Sequence, residues 1–442
     1  MRVLWILLLV LAGSIAGYMF TRFERDAPAI STRTDLVVLG KEHPHEFRVV
    51  DDGTGVERIH VWLEAGEQTI DLVDVSYPGN LFTGAALNIP RAVEIALRPE
   101  ELGVSDGSVL LVAEARDFSW LGNVARVEIP LLIDTRAPRV SLLTGLTYAR
   151  RGGTELVVYR IDEEAERDGV EVGDHFFRGY PHPQDPKRRV AFYALPPGTT
   201  AGDQPRLVAE DRAGNRTTAG LNVEVIERSF PDDQIELSQT FMASRVAELL
   251  GGEAPDDVLE AYLKINRDMR AENAQTIKEL CTHSSSDRLW SGSFLQMPGS
   301  KVGARFAEHR TYSFEGRNVD EQVHLGYDLS STSQSEIPAA NDGVVVYAGA
   351  LGIYGSTVVI DHGLGLFSLY GHLSEIAVEK GAPVARGESI GRTGQTGLAG
   401  GDHLHFSVLV DGTFVDPLEW FDAKWIEEHI DPKLALPVSP PS

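Results

Sequence analysis

Near the C-terminus the chain reads Gly401-Asp402-His403-Leu404-His405-Phe406. Side chains of a strand alternate between faces, so in a strand the two imidazoles of this His-x-His point the same way. That is half of a metal site. Upstream, His324 and Asp328 stand in Val-His-Leu-Gly-Tyr-Asp-Leu, and His372 lies between the two pieces in Leu-Tyr-Gly-His-Leu. Zinc that only holds a fold is usually closed by four protein ligands rich in cysteine, whereas catalytic zinc takes three and keeps one coordination position open. The only cysteine is Cys281, which excludes a thiolate site. Three ligands and two spare imidazoles describe a catalytic zinc centre. Two neutral imidazoles and one carboxylate leave a net positive local charge, enough to acidify a water and polarise a carbonyl. The remaining imidazoles can handle protons and steady a developing oxyanion.

Short β-branched runs between glycines must position these groups. Gly343–Tyr347, Ser356–Ile360, Leu366–Tyr370 and His403–Val410 read as antiparallel strands joined by tight turns. In the last run Leu404 and Phe406 face the core while His403 and His405 face a groove, so a one-residue slip would bury both imidazoles. Gly391, Gly394, Gly397, Gly400 and Gly401 precede it. They read as a sterically permissive loop and as a place where backbone closely approaches a peptide substrate.

With these residues in place, the sequence resembles the lysostaphin-type zinc metallopeptidases that cut bacterial peptidoglycan. His324 and Asp328 match that family's His-x-x-x-Asp motif, His405 matches its third zinc ligand, and His372 and His403 match its two catalytic histidines. The likeness runs over roughly residues 288 to 421, a length compatible with one compact domain. It passes through Trp290, Phe294, Phe306 and Arg310, then Ile337-Pro338-Ala339-Ala340, Gly343-Val344-Val345, Tyr370-Gly371-His372-Leu373 and Asp416-Pro417. Asp402, Ser407, Ala307 and Ser356 depart from the residues usual in the family, and all four lie outside the ligand and catalytic set. The resemblance implies one Zn2+ per chain. His362 sits where an apolar strand gives way to a Gly-rich turn and stays outside the site. His43, His45, His60, His175, His182, His283, His309 and His429 are simplest as solvent-exposed or locally hydrogen-bonded residues, and Asp402 as a turn residue.

At the other end, Val3 to Phe20 is an uncharged, largely apolar stretch just long enough to cross a bilayer as a helix. It is a signal peptide or an anchor; its length and the lack of a clean cleavage site favour an uncleaved anchor. Arg22 and Arg25 follow the span and weaken the positive-inside signal. A wall-cutting enzyme faces its substrate, which implies an inner-membrane protein with a single span and its catalytic domain in the periplasm. The formal charge of -25 opposes binding to nucleic acid. One cysteine permits no intrachain disulfide.

The expected fold is mainly β with a helical connector: two Ig-like β-sandwich modules followed by an antiparallel β-sheet zinc peptidase domain. Residues 1–26 form the anchor or signal, 27–135 the first sandwich, 136–230 the second, 231–287 the connector, 288–425 the peptidase and 426–442 a Pro-rich tail. An internal repeat supports the paired modules. Leu111-Val112-Ala113-Glu114 precedes Asp117 and Gly122-Asn123, and Leu207-Val208-Ala209-Glu210 precedes Asp211 and Gly214-Asn215, roughly 95 residues later, close to the size of one Ig-like unit. These modules read as spacers first and as partner- or wall-binding units second. In the connector, Val258, Tyr262, Ile265 and Met269 follow helical spacing after Pro255-Asp256-Asp257. A helix beside the groove would make the enzyme depend on a protein activator; packing against the neighbouring domain is the more economical account.

The resemblance implies a membrane-anchored zinc metalloendopeptidase acting on the peptide cross-links of peptidoglycan. A tether to the inner membrane suits a thin wall, and such walls are commonly linked directly between D-alanine and diaminopimelate, which favours that bond over oligoglycine. The alternative is a non-catalytic regulator on the same fold that binds and activates another wall hydrolase. Regulators of that kind have usually lost ligands or catalytic histidines, whereas all five positions are filled here.

Overall fold

A computed structural model of the protein describes residues 2–32, 37–200 and 202–435. The chain is mainly β and divides into two compact units, Met1–Pro138 with Glu210–Arg216, and Arg139–Ala209 with Thr217–Ser442.

The first unit opens with a helix over Arg2–Arg22. Its stretch Val3–Arg22 has a mean hydropathy of 2.3 with 0% buried, so by length and composition it could cross a membrane. A three-stranded sheet follows, ordered Ala29–Thr32, His43–Val50, Arg91–Leu97, and with it a five-stranded sheet centred on Val56–Ala65, Gly107–Asp117 and Val124–Ile133. Inward residues of both sheets, among them Phe47, Val93, Ile59, Leu111 and Ile129, form one hydrophobic core. Alternate residues of each strand thus face a common interior, which makes the pair of sheets a sandwich. The repeated Asp and Asn turn out to staple loops. The Asp117 carboxylate accepts the Asn123 backbone and side-chain N–H groups at 2.9 and 2.9 Å, and Asp211 accepts those of Asn215 at 2.9 and 3.0 Å.

In the second unit, a four-stranded sheet ordered Val140–Leu142, Thr154–Ile161, Asp185–Ala194, Tyr180–His182 shares a continuous core with the helices and the C-terminal sheet. Trp420 is fully buried and packs on Phe192, Trp290 and Phe294 at ring-centre distances of 5.7, 5.4 and 5.4 Å. Polar ties cross the same junction. Asp411 accepts from Arg178 at 2.8 Å, Asp416 pairs with Arg228, Glu155 with Lys433, and the Thr154 N–H donates to Glu419 Oε2 at 2.8 Å. His182 is locally hydrogen-bonded, its Nδ1 accepting the Gln184 N–H at 3.1 Å, but it is buried rather than exposed, and its Nε2 also bonds the distant Lys433 carbonyl at 3.2 Å.

The helical segment starts where Ser238 caps Gln239–Leu250 by accepting the Phe241 N–H, and Gly251, at φ +70°, ends it. Asp257 caps the next helix, Val258–Lys264, which runs through a π-helical turn at Ile265–Met269 into Arg270–Leu280. The antiparallel C-terminal sheet is ordered Lys301–Ala304, Tyr327–Ser330, Leu404–Val410, Leu366–Leu373, Ser356–Gly363, Gly343–Ala350, Pro383–Val384. All residues of Leu366–Leu373 and Leu404–Val410 are buried, because both faces of the sheet are covered, unusual for an antiparallel sheet. Residues 426–434, expected as tail, are instead helical over Ile426–Ile430 and Asp431–Leu434 and bury Ile426, Ile430 and Leu434. The Pro-rich stretch 436–442 lies outside the described residues.

Burial, together with the nearby Asp416 and Glu155 charges, pushes the Glu419 carboxyl up to about 7 against the Thr154 hydrogen bond and the Arg150 charge. The folded state therefore holds a proton that the unfolded chain releases near its ordinary value of 4.5. The stabilisation is complete below that value and is lost as pH rises through about 7. Glu419→Gln keeps an acceptor for Thr154 without the charge, so urea midpoints taken between pH 5 and 8 should fall less steeply in the variant than in the wild type. Parallel slopes would rule Glu419 out as the source.

Candidate metal centre

His324 closes the strand Arg317–His324, and after the two-residue link Leu325-Gly326 the chain enters Tyr327–Ser330, where Asp328 pairs with His405 across the ladder. The turn is tight enough that a Cβ on Gly326 would stand 2.6 Å from Ser407 Oγ and 2.7 Å from the His405 ring, so only glycine fits. Three donor atoms converge as a result. His324 Nε2 and His405 Nδ1 each lie 3.0 Å from Asp328 Oδ1 and 3.1 Å from one another. Ligands about 2.0–2.2 Å from a tetrahedral zinc stand only slightly farther apart than this.

The outward atoms of this set are already committed. His324 Nδ1 donates to the Arg305 carbonyl at 3.0 Å, and His405 Nε2 donates at 3.0 Å to Ser407 Oγ, which itself donates to the Leu325 carbonyl at 2.8 Å. Each bond fixes a tautomer whose inward nitrogen carries a lone pair, the state a metal requires. Arg310 donates to the other Asp328 oxygen, Oδ2, at 3.1 Å and to Glu308 at 3.0 Å, turning Oδ1 toward the imidazoles. Burial works against a charge on Asp328, yet the His324, His403 and His405 rings hold its carboxyl well below the usual carboxylate range. Burial likewise pushes His405 down to about 4, a neutral ring at neutral pH. By charge, tautomer and convergence the residues present fit a zinc ion.

The two remaining histidines share one device. His372 Nδ1 donates to the Thr396 carbonyl and His403 Nδ1 to the Gly401 carbonyl, each at 2.8 Å, which turns both Nε2 atoms inward. His403 Nε2 lies 3.4 Å from Asp328 Oδ1, and the His372 ring centre lies 4.9 Å from that of His403 and 5.7 Å from that of His405. The Gly-rich loop is thus the carbonyl source that aims both imidazoles. Burial, then the neighbouring His403 and His405, pushes His372 well down; burial opposes a charge on His403, but Asp328 raises it. His372 also sits at φ +67°, a left-handed conformation that costs a non-glycine residue energy. His403 precedes the strand rather than opening it, in an isolated bridge with Gly394.

Asp402 is a loop staple: its carboxylate accepts from Thr393, Ser333 and the Gln334 N–H. His362 is fully buried between the Asp342 carbonyl and Ser368 Oγ, both at 2.7 Å, and lies outside the cluster. All five histidine and aspartate positions singled out in the sequence line one cavity of about 180 Å³. Sequence reasoning missed Tyr354, whose ring centre lies 5.4 Å from that of His405, and Arg270, and it placed the helix of Phe241 and Tyr262 beside the groove only as the less economical alternative; all four line the cavity. Arg245 and Glu248 of that segment grip the Gly-rich loop, donating to the Gln395 carbonyl at 2.7 Å and accepting the Gly397 N–H at 3.0 Å. Tyr354 was signalled only by its place between Gly352 and Gly355; the helical residues carried no signal beyond their spacing.

Residues 322–417 match Peptidase family M23. The chain is 37% identical over 97 residues to the DD-carboxypeptidase/endopeptidase Mpg of Neisseria meningitidis and 38% identical over 96 residues to the peptidoglycan DD-endopeptidase ShyA of Vibrio cholerae. Each alignment covers 22% of this chain and 22% of the relative, so the chain spans about a fifth of the length of these proteins. Among solved structures, the catalytic domain of lysostaphin from Staphylococcus simulans is 25% identical with a TM-score of 0.25, covering 28% of this chain and 98% of that domain. The segment that carries His324, Asp328, His372, His403 and His405 is a domain of peptidase family M23.

Proposed function

We propose that the protein is a zinc metalloendopeptidase that hydrolyses peptide cross-links of peptidoglycan, with His324, Asp328 and His405 holding one zinc ion and His372 and His403 serving as catalytic residues. The observation that carries this reading is the arrangement of imidazoles: every outward nitrogen is pinned by a carbonyl or hydroxyl, and the inward nitrogens of His324 and His405 converge on Asp328 Oδ1 at 3.0 Å. Zinc bound there supplies a Lewis acid that acidifies water and polarises the scissile carbonyl. The Nε2 lone pairs of His372 and His403 can take a proton from the attacking water, and the imidazolium so formed can pass it to the leaving amine or donate to the developing oxyanion. Tyr354 and the helical residues wall the cavity and limit the water that reaches it.

The names of the two relatives favour a D,D-bond, and with a thin directly cross-linked wall the preferred substrate is the D-alanyl-diaminopimelate amide. The apolar helix Val3–Arg22 acts in this reading as a single-span anchor in the inner membrane with the catalytic unit in the periplasm. A protein activator would have a point of action where Phe241 and Tyr262 line the cavity. A non-catalytic regulator is the weaker reading, since no ligand or catalytic histidine is missing.

Purified muropeptide dimers test the reaction. The zinc-loaded full chain should convert them to monomers and leave oligoglycine-bridged peptides intact; stimulation of a separate amidase without release of monomers would support the regulator instead.

Metal analysis tests the ligand set. His405→Ala should abolish stoichiometric zinc with the fold retained, and Ser407→Ala should weaken zinc binding by about 10- to 100-fold by freeing the ligand's outer nitrogen. Stoichiometric zinc in folded His405→Ala would exclude His405 as a ligand.

His372→Ala and His403→Ala should keep zinc and lose hydrolysis by a factor of about 10² to 10⁴. At His372, with φ +67°, glycine should be more stable than alanine by about 1 kcal/mol, the reverse of their order in regular structure. Equal melting points for the two variants would mean that the left-handed backbone costs nothing there.

A further inference from the structure

Beyond the imidazole cluster, the cavity holds a guanidinium without a carboxylate. Arg270 lines it from the helical segment, outside the residues matched to the family. The other arginine in the cavity, Arg310, is already paired with Glu308 and Asp328. Among the described residues Arg270 forms no ion pair, and its hydrogen bonds go only to Asn266: Nε donates to the Asn266 carbonyl at 3.1 Å and Nη2 to Asn266 Oδ1 at 2.7 Å. Five N–H groups fill a guanidinium's edge, so Nη1 and one Nη2 hydrogen remain available.

The backbone explains why this side chain is held so. In an α-helix the Arg270 N–H would bond the Asn266 carbonyl; at the π turn it is shared between the Ile265 and Arg267 carbonyls instead. The Asn266 carbonyl, left over, takes the Arg270 side chain. Asn266 is fully buried and donates through Nδ2 to Asp320 Oδ2 at 2.8 Å, while the Asp320 charge is met by Arg267 at 2.8 Å. The guanidinium is therefore locked by a neutral amide and not neutralised by an acid. A fixed, planar, uncompensated fork beside a peptide-cleaving centre has the geometry that recognises a carboxylate through two parallel hydrogen bonds.

We infer that Arg270 is a specificity residue that binds the free carboxylate flanking the scissile amide of a directly cross-linked stem peptide. The inference rests on the peptidoglycan reading given above and deepens it. In a D-alanyl-diaminopimelate link the amine side of the broken bond comes from a stereocentre that carries its own carboxylate; an oligoglycine bridge offers no such group. Arg270 thus selects for the first substrate by charge, and its contribution comes from a helix that lies outside the matched domain.

The test uses binding as well as turnover. The zinc-loaded full chain carrying His403→Ala, to suppress hydrolysis, is titrated by calorimetry with a D-alanyl-diaminopimelate cross-linked peptide dimer and with the same dimer amidated at that carboxyl. The free carboxylate should bind at least about 10-fold more tightly; adding Arg270→Gln should weaken its binding by about 10- to 100-fold and leave the amide within about 2-fold. Arg270→Lys, which keeps the charge and loses the fork, should fall between. An unchanged preference in Arg270→Gln, an equal loss for both dimers, or no binding of either dimer before Arg270 is changed would overturn the inference. Carboxylate-selective binding that depends on Arg270, in a protein whose intact form cleaves neither dimer, would sustain it while defeating the hydrolase reading.

Discussion

Asp328 lies opposite His405 in the antiparallel ladder, and the geometry of the centre follows from that single register. The pairing places one carboxylate oxygen 3.0 Å from two imidazole nitrogens that arrive from different strands. Because side chains alternate along a strand, a shift of one residue would exchange His405 for Leu404 or Phe406 and turn the imidazoles into the core. The neighbouring pair Gly371 with His405 carries the same register to the next strand, so His372 inherits its place from it. Gly326 is where this constraint is most exacting, since the link between His324 and Asp328 passes within contact distance of the His405 ring.

The outer shell then decides which atoms face inward. Backbone carbonyls of Arg305, Thr396 and Gly401 and the hydroxyl of Ser407 each accept one ring N–H. The three carbonyl bonds are sequence-tolerant, because any residue supplies a carbonyl, whereas the fourth depends on the Ser407 hydroxyl. The left-handed His372 is the counterpart: its ring is aimed by a backbone conformation that its own side chain disfavours.

The cluster was legible in the sequence because candidate ligand residues announce themselves by type and spacing, and a strand period of two fixes their face. His324, Asp328, His372, His403 and His405 come together in one cavity as their pattern implied. The mainly β character was legible for the same reason of periodicity. Arg270 was not, since its position depends on a π turn and on where a helix docks, and neither leaves a periodic trace. The end of the chain was misread as tail from residue 426 because a short helix burying only Ile426, Ile430 and Leu434 has too few apolar positions to stand out beside a Pro-rich stretch. The repeated Asp and Asn were visible as a repeat, while their work as loop staples required the hydrogen bonds.

Asp411 and Asp416 are buried carboxylates whose cationic partners, Arg178 and Arg228, come from the preceding β segment. Removing one partner of a buried ion pair costs roughly 3–5 kcal/mol, because the remaining charge is stranded in a poor solvent. Excising the family-matched residues 322–417 alone would part both carboxylates from their arginines and would leave Trp420, with its Phe192 contact, behind. The sheet that carries the cluster thus shares its core and its buried ion pairs with the sheet before it, and transplanting it to another scaffold would mean supplying those partners anew.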